Sequence, residues 1–300
     1  MKLLPRGLAL ILLSLAGAAA LEGRVRIMAT VLPLAEFAEA VAGDRGQVDL
    51  LLPPGAGVHD WQPRPGDIVR LAGCDLLLSV GARLEPWLPG LLRAAPTGRM
   101  RLLEASAGLD PTRDGHEHPG EEGGPADPHV WLDFELDVAI ARAIAAELAG
   151  LDPEGAAVFA ANADALAARL TALDARYREG LAACRGRIIV LAGHAAFGHL
   201  ARRYGLEQRA VHGLSPDAEP RPKDLIGAVD LCRARGIRTV FREGAESPGL
   251  AKTLAREIGG RVLVLHAGHN LTREQRAGGL GFFDLMEENL ATLRDGLECR

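Results

Sequence analysis

Short apolar runs alternate with amphipathic segments along the first half of the chain. The stretches RVRIMA, QVDLLL, DLLLSV and RMRLLE are predicted to be strands, and the segments between them carry apolar residues at helical spacing. Nearly continuous apolar strands that are separated by helices are typical of a parallel sheet covered on both faces. The pattern therefore predicts an α/β lobe.

The alternation then breaks twice before it resumes. Residues 110–128 have no apolar period and are rich in Gly, Pro and acids, which is typical of a mobile surface loop. Beyond Asp152-Pro153, a run of about 30 residues dominated by Ala, Leu and Arg predicts one helix about 45 Å long. Strand and helix patterns alternate again from there to the C-terminus.

These patterns predict an α/β protein with two parallel-sheet lobes that are joined by one long backbone helix. A chain of 300 residues also suits two domains better than one core. We assign residues 21–152 to the N-terminal lobe, residues 153–184 to the connecting helix and residues 185–300 to the C-terminal lobe.

The first twenty residues differ from the rest in composition. Lys2 and Arg6 accompany an apolar run, and three alanines that end at Ala20 offer a small-residue cleavage site. This predicts a secretory signal peptide, cut near Ala20, and a location in the periplasm. The alternative is an uncleaved membrane anchor, but the apolar run is shorter than the ~20 residues that a spanning helix needs.

Charge and cysteines narrow the class of protein further. The formal net charge of −5 argues against nucleic acid as a partner. No cysteine lies at a metal-ligand spacing, so a thiolate zinc site is not predicted. Because an exported protein meets oxidising conditions, we expect one disulfide in the second half of the chain, Cys232–Cys299. The alternative is that all four cysteines are buried free thiols.

Four histidines lie where lobes of this kind bind ligands. His59 follows the strand VDLLL, His194 follows IIVLA and His266 ends VLVL, while His129 lies in ADPHVWLD at the entry to a helix. Ligands of open parallel sheets bind just outside the carboxyl ends of the strands. Imidazole nitrogens favour Zn, Cu or Ni over Mg, Ca or Mn, and zinc is the simplest choice for a tetrahedral four-histidine site. The sequence therefore predicts a zinc site in the cleft between the lobes.

The chain resembles the metal-binding receptors of zinc and manganese ABC importers, which are periplasmic solute-binding proteins. The resemblance covers nearly all of the mature chain and depends on segments that occur in family order: PPGAGVHDWQP, VGARLEPWL, DPHVWLD, AGHAAFGHLARRYGL, LSPDAEPRPKDL, FREGAESPGLAKTLAREIG and DLMEENLATL. It implies two lobes, a long connecting helix and a metal in the cleft. It further implies capture of periplasmic zinc, delivery to an inner-membrane ABC permease and no catalysis.

The resemblance also implies a set of ligands. His59, His129 and His194 match the first three ligands of the family, and His194 favours zinc because the manganese branch carries a carboxylate at that position. The family usually has Asp at the fourth position, where this chain has His266. We expect a four-histidine site with His266 as the fourth ligand. The alternatives for that fourth position are His269, Glu243 or a water.

Two functions other than zinc capture are compatible with histidines at these positions. The first is a manganese or iron receptor of the same fold, which the carboxylate-poor site disfavours. The second is a zinc hydrolase with an open metal position, but the sequence holds neither HExxH nor GxSxG. We expect the protein to be a monomer. A periplasmic zinc metallochaperone is one possible donor of the metal. From the ordinary histidine pKa near 6.5, zinc affinity is predicted to fall steeply below about pH 6.

The other histidines receive simpler interpretations. His116 and His118 lie in the loop at 110–128, which is interpreted either as a weak auxiliary zinc site or as a solvated linker. His199 is interpreted as structural. His212, at a predicted strand end, is interpreted as a core group or as a hydrogen-bond donor behind the ligands.

Overall fold

The chain folds around two four-stranded parallel sheets, which confirms the predicted fold class. We describe a computed structural model that covers residues 24–96, 98–109, 126–214, 222–244 and 247–300. The predicted signal peptide and the segment with His116 and His118 lie outside these residues.

The N-terminal sheet has the strand order β2-β1-β3-β4. Its strands are β1 (Val25–Ala29), β2 (Gly46–Leu50), β3 (Leu76–Ser79) and β4 (Arg101–Glu104). The connecting helices are α1 (Leu32–Ala42), α2 (Pro65–Ala72) and α3 (Leu88–Ala94). The central strand β3 is buried throughout, as expected for a strand covered on both faces.

The C-terminal sheet repeats this arrangement, with the order β6-β5-β7-β8. Its strands are β5 (Ile188–Leu191), β6 (Glu207–Ala210), β7 (Thr239–Glu243) and β8 (Arg261–Leu265). The helices of this half are α6 (Gly198–Arg203), α7 (Pro222–Arg235), α8 (Gly249–Glu257), α9 (Arg273–Ala277) and α10 (Phe282–Gly296). In both sheets the chain leaves the second strand, crosses over as a helix and returns as the third strand on the other side of the first.

The predicted long helix lies between the two sheets in sequence. A 3₁₀ turn at Pro153–Gly155 leads into α5 (Ala156–Ala182), and α4 (Phe134–Leu151) packs along it. Its buried face recurs every three or four residues and consists of Phe159, Ala163, Leu166, Ala167, Leu170, Leu173, Tyr177 and Leu181. Asn162 donates to the carbonyl of Val41 at 3.0 Å, and the Tyr177 hydroxyl donates to that of Met286. The helix thus holds elements of both halves.

By length and hydropathy alone, Pro153–Ala182 could also cross a membrane. Core helices of soluble proteins pass the same test, and this helix packs its apolar stripe against α1, α4 and α10. We therefore interpret it as the connecting helix of the fold.

Arg203 links the C-terminal half to the long helix and to α4. Its guanidinium lies 2.9 Å from Asp133, 2.7 Å from Glu135 and 2.6 Å from Asp174, and its side chain is only 9% exposed. Nearby carboxylates hold the pKa of Arg203 above its already high ordinary value, although burial acts in the opposite direction. Asp174 also accepts from the Tyr204 hydroxyl at 2.8 Å, so one partly buried network joins α4, α5 and α6.

The expected disulfide exists in the second half of the chain, but the predicted pairing is wrong. Cys184 pairs with Cys299, not Cys232. Cys184 follows the end of the long helix, and the chain after α10 returns beside it in an antiparallel bridge. Cys232 is buried on α7, away from that bridge, and stays a free thiol, as does Cys74.

Candidate metal centre

Three of the four predicted histidines meet at one point. His59, His129 and His194 each offer a ring nitrogen, and these three atoms lie within 4.8 Å of one another. The ring centroids are 5.4–5.8 Å apart. The Nε2 atoms of His59 and His129 are buried and have no hydrogen-bond partner among the described residues. Buried polar atoms are normally paired, so this arrangement indicates a place for a bound ion.

Each half of the molecule contributes to the cluster through its loops. His59 lies in the loop between β2 and α2, where the Trp87 indole donates to the carbonyl of neighbouring Val58 at 2.7 Å. His194 follows β5. The hydrogen bond from Trp87 therefore helps to fix the loop that carries His59.

Asp127 orients His129. Its Oδ1 lies 2.8 Å from His129 Nδ1 and also accepts from the His129 backbone N–H at 3.0 Å. Burial raises the pKa of Asp127, but the hydrogen bond and the charges of nearby imidazoles outweigh it, so the net shift is downward. An ionised Asp127 keeps the proton of His129 on Nδ1 and leaves Nε2 with its lone pair for a metal.

Glu243, at the end of β7, lies between two imidazoles. One carboxylate oxygen is 3.4 Å from His194 Nδ1, and the other is 3.4 Å from His269 Nδ1. All three side chains are almost fully buried. Glu243 therefore lies against the Nδ1 atoms of two histidines, whereas Asp127 lies against that of one.

The structure does not bring His266 to the cluster. Its Nε2 lies 3.5 Å from Glu288, and its backbone exchanges two hydrogen bonds of 2.8 Å with the buried side chain of Asn289. His266 was the expected fourth ligand, but in the structure it does not lie with the other three histidines. It is the first residue after β8, and its contacts with α10 hold it there. His269, three residues later and one of the open alternatives, lies beside Glu243 instead.

Hydrogen bonds across the halves hold the segment that carries His269. The His269 carbonyl accepts from Leu32 N at 2.9 Å, and the Trp131 indole donates to Ala267 O at 2.6 Å. The Asn270 amide donates to carbonyls on both sides of the turn before His59, at 2.8 and 2.9 Å. A cavity of about 210 Å³ lies beside this segment and borders His266, His269 and Glu243.

Burial and mutual repulsion keep these imidazoles neutral. Burial, with the charges of the neighbouring histidines, lowers the pKa of His59 to about 2 and that of His269 to about 3. The pKa of His129 is also lowered, chiefly by burial, although Asp127 opposes the shift. Neutral imidazoles are the form that binds a metal.

His199 and His212 are not members of the cluster. His199 is buried, and its Nε2 lies 3.0 Å from the Asp127 carbonyl, consistent with a structural role. His212 is partly buried, and neither of its ring nitrogens has a hydrogen-bond partner within the described ranges. Sequence reasoning missed Asp127 altogether, although its position two residues before His129 was an available signal.

Comparisons with known proteins show which family the chain is similar to. Residues 27–296 match the family model described as the periplasmic component A of the zinc-uptake complex, ZnuA. The chain is 32% identical over 282 residues to the high-affinity zinc uptake system protein ZnuA of Bacillus subtilis, covering 91% of this chain and 88% of that protein.

The streptococcal protein AdcA gives the same result, both as a sequence and as a solved structure. The chain is 33% identical to the zinc-binding lipoprotein AdcA of Streptococcus pneumoniae, over 91% of this chain but only 56% of that longer protein. The crystal structure of the Zn(II)-bound ZnuA-like domain of AdcA superposes with a TM-score of 0.77 at 32% identity, covering 92% of this chain and 100% of that one.

Proposed function

Because the chain belongs to the ZnuA family of zinc-uptake components, we propose that it captures Zn²⁺ between its lobes and delivers it to the permease of an ABC importer. It is a solute-binding receptor and not an enzyme. The observation that carries the proposal is the convergence of His59, His129 and His194, whose ligand atoms lie within 4.8 Å of one another. Three nitrogen donors are a set that suits zinc better than manganese.

We assign the fourth ligand to His269 rather than His266. His269 shares Glu243 with His194, and its pKa is lowered chiefly by burial and further by the charges of His194 and His129. The pKa of His266 is also lowered, mainly by burial, but the charges that act on it are those of Glu288 and Arg242. His269 is therefore electrostatically part of the cluster, and His266 is not.

The buried carboxylates complete the proposed site. Four neutral imidazoles leave the two positive charges of a zinc ion unbalanced, and an unbalanced charge is costly away from water. Asp127 and Glu243 are both buried and each lies against ligand Nδ1 atoms. Together they offset the ion's charge and fix the tautomers that direct Nε2 toward the metal.

The location and the partners belong to the same proposal. We infer a periplasmic protein whose signal peptide is cut near Ala20, which acts as a monomer and releases zinc to the permease. A zinc metallochaperone as donor and an auxiliary role for the loop at 110–128 remain predictions from the sequence. The hydrogen bonds from Asn270 and Trp131 across the lobes support a small closing motion rather than wide opening.

Competition titration of the mature chain against a chromophoric zinc chelator tests the proposal. We expect one tight zinc ion per chain. Loss of a residue that only orients a ligand typically weakens metal binding about 10–100-fold. Loss of a ligand itself should weaken zinc binding by more than that, and this is expected for each of four variants: His59→Ala, His129→Ala, His194→Ala and His269→Ala.

His266→Ala is the matched control, because it changes the same residue type three positions from His269. Its affinity should stay within threefold of the parent chain. If His266→Ala weakened binding and His269→Ala did not, the assignment of the fourth ligand would be wrong. If the parent chain bound no zinc tightly, the function itself would be refuted.

A further inference from the structure

The two lobes carry the same short sequence at the same place in their topology. Arg-Pro-x-Asp followed by two aliphatic residues occurs at 64–69 and again at 221–226. The first copy opens α2, which links β2 to β3, and the second opens α7, which links β6 to β7. These helices are equivalents in two sheets of identical strand order.

The last residue of each copy is an exposed aliphatic side chain. Val69 is 74% exposed and Ile226 is 62% exposed, and each is the fifth residue of its helix. The residue before each of them, Ile68 or Leu225, packs against the core of its own lobe. In each lobe the first aliphatic residue of the motif is therefore packed against the core, and the second one is exposed.

This exposure is uncommon in the protein. Only two other large apolar side chains among the described residues are comparably exposed, Leu102 at 41% and Val158 at 46%. They lie on β4 and on the long helix, at positions that do not correspond to each other. Single exposed apolar residues need no explanation, but a pair at equivalent positions in both lobes does.

The helices that carry these side chains begin at the edge where the strands end, because a helix that follows a parallel strand starts at the carboxyl end of that strand. The loop that carries His59 runs directly into α2, and the chain after β6 runs into α7. At 1.5 Å per residue, Val69 and Ile226 lie about 6 Å along their helices. A partner that approaches this edge to take the metal meets one of them on each lobe.

Basic residues accompany the two aliphatic ones. Arg64 and Arg70 are exposed beside Val69, and Lys223 is exposed at the start of α7. The chemistry fits a partner site that combines an apolar pocket with acidic groups.

We propose that Val69 and Ile226 are matched docking contacts for the permease, with each lobe engaging one of two equivalent permease halves. A contact that is repeated on the receptor fits a partner that presents its own site twice, as two-fold symmetric membrane assemblies do. The inference rests on the proposed function, since it requires the importer as partner.

The test compares Val69→Glu, Ile226→Glu and the double variant with Leu102→Glu and Val158→Glu as matched controls. Zinc-loaded chains are titrated against the permease–ATPase complex of the same organism's zinc importer in lipid nanodiscs. We expect each docking variant to weaken binding about tenfold, a typical loss for an interface anchor, and the double variant about a hundredfold because the sites are separate. The controls should stay within twofold, and all variants should keep the parent's zinc affinity and thermal stability.

Several outcomes would overturn the inference. A loss from only one of the two substitutions would rule out a matched pair, and an equal loss in the controls would point to charge repulsion alone. A parent chain that forms dimers separated by Val69→Glu would identify a second copy as the occupant. If the parent chain fails to bind zinc, the proposed function fails first; if it binds zinc and all variants dock normally, only the docking assignment fails.

Discussion

The two lobes share one topology but hold their ligands in different ways. In the N-terminal lobe, Asp127 serves His129 alone through a hydrogen bond of 2.8 Å, and His59 relies on its loop. In the C-terminal lobe, a single carboxylate, Glu243, lies 3.4 Å from both His194 and His269. Identical folds can therefore concentrate or divide the control of ligand geometry. In the C-terminal lobe one carboxylate is shared by two proposed ligands, whereas in the N-terminal lobe each ligand has its own support.

The largest expected effect concerns the disulfide that ties the C-terminal lobe to the end of the connecting segment. Cys184 and Cys299 close a loop of 115 residues in sequence separation, so replacing both by Ser should cost about 2–5 kcal/mol of unfolding free energy. Zinc affinity at 25 °C should not change, because neither cysteine touches the site. Chemical denaturation and chelator competition on the same sample check both parts.

Cys232→Ser is the control for that experiment, since Cys232 is buried but unpaired. It should destabilise the protein less than loss of the bridge does. An equal loss of stability would mean that packing, and not the covalent link, carries the effect.

The next effect should come from Glu243→Gln, which keeps the shape of the side chain and removes its charge. Because Glu243 lies beside both His194 and His269, the substitution removes a negative charge from two proposed ligands at once. Zinc affinity should therefore fall by about 100-fold, at the upper end for residues that orient a ligand. The d–d spectrum of the cobalt-substituted protein should shift as well. An affinity within threefold of the parent would remove the proposed difference between the lobes.

Asp127→Asn should have a smaller effect, about 10-fold in zinc affinity, because only His129 loses its orienting carboxylate. The measurement is the same chelator competition. A loss larger than that of Glu243→Gln would reverse the comparison and make the N-terminal lobe the more sensitive one. Glu288→Gln, beside His266, is the control and should leave affinity unchanged.

The smallest expected change, counted per pH unit and per histidine, is the pH dependence of the unfolding free energy of the metal-free protein. His59 and His269 have folded-state pKa values lowered to about 2 and about 3, while their unfolded values stay near 6.5. Below pH 6.5 the unfolded chain therefore binds more protons, so stability is lost as pH falls toward 3. Each such histidine contributes a slope of up to about 1.4 kcal/mol per pH unit.

Thermal melts of the metal-free chain between pH 7.5 and 4 measure this slope, with His59→Gln as the control that should flatten it. The lowered pKa values also revise the expectation from sequence that zinc affinity falls steeply below about pH 6. Direct competition by protons should now begin at lower pH. A stability that does not change between pH 7.5 and 4 would contradict these shifts.

The fold could be predicted from the sequence because its signals are local. Apolar runs such as DLLLSV and the Ala- and Leu-rich stretch after Pro153 determine strands and the long helix without knowledge of distant contacts. The convergence of three histidines followed from their positions after strands or at a helix entry. The short helix Arg273–Ala277 had no comparable signal.

The fourth position and the disulfide could not be derived in this way, because both depend on contacts between distant segments. His266 and His269 lie three residues apart after the same strand, and Glu288 and Asn289 on α10 hold the first of them away from the cluster. The sequence predicted Cys232 as the partner of Cys299, and only the return of the chain beside the end of α5 identifies Cys184 as the partner. The docking of α10 is tertiary information that no local pattern contains.

The hydrogen bonds made by Asn270 and Trp131 have a consequence for the speed of metal exchange. These bonds attach the His269 segment to the opposite lobe at the turn before His59 and behind His129. We expect a bound ion to leave only after these contacts break, which would slow both the entry and the exit of the metal without changing the equilibrium constant. A partner that breaks these hydrogen bonds on docking would then speed up release.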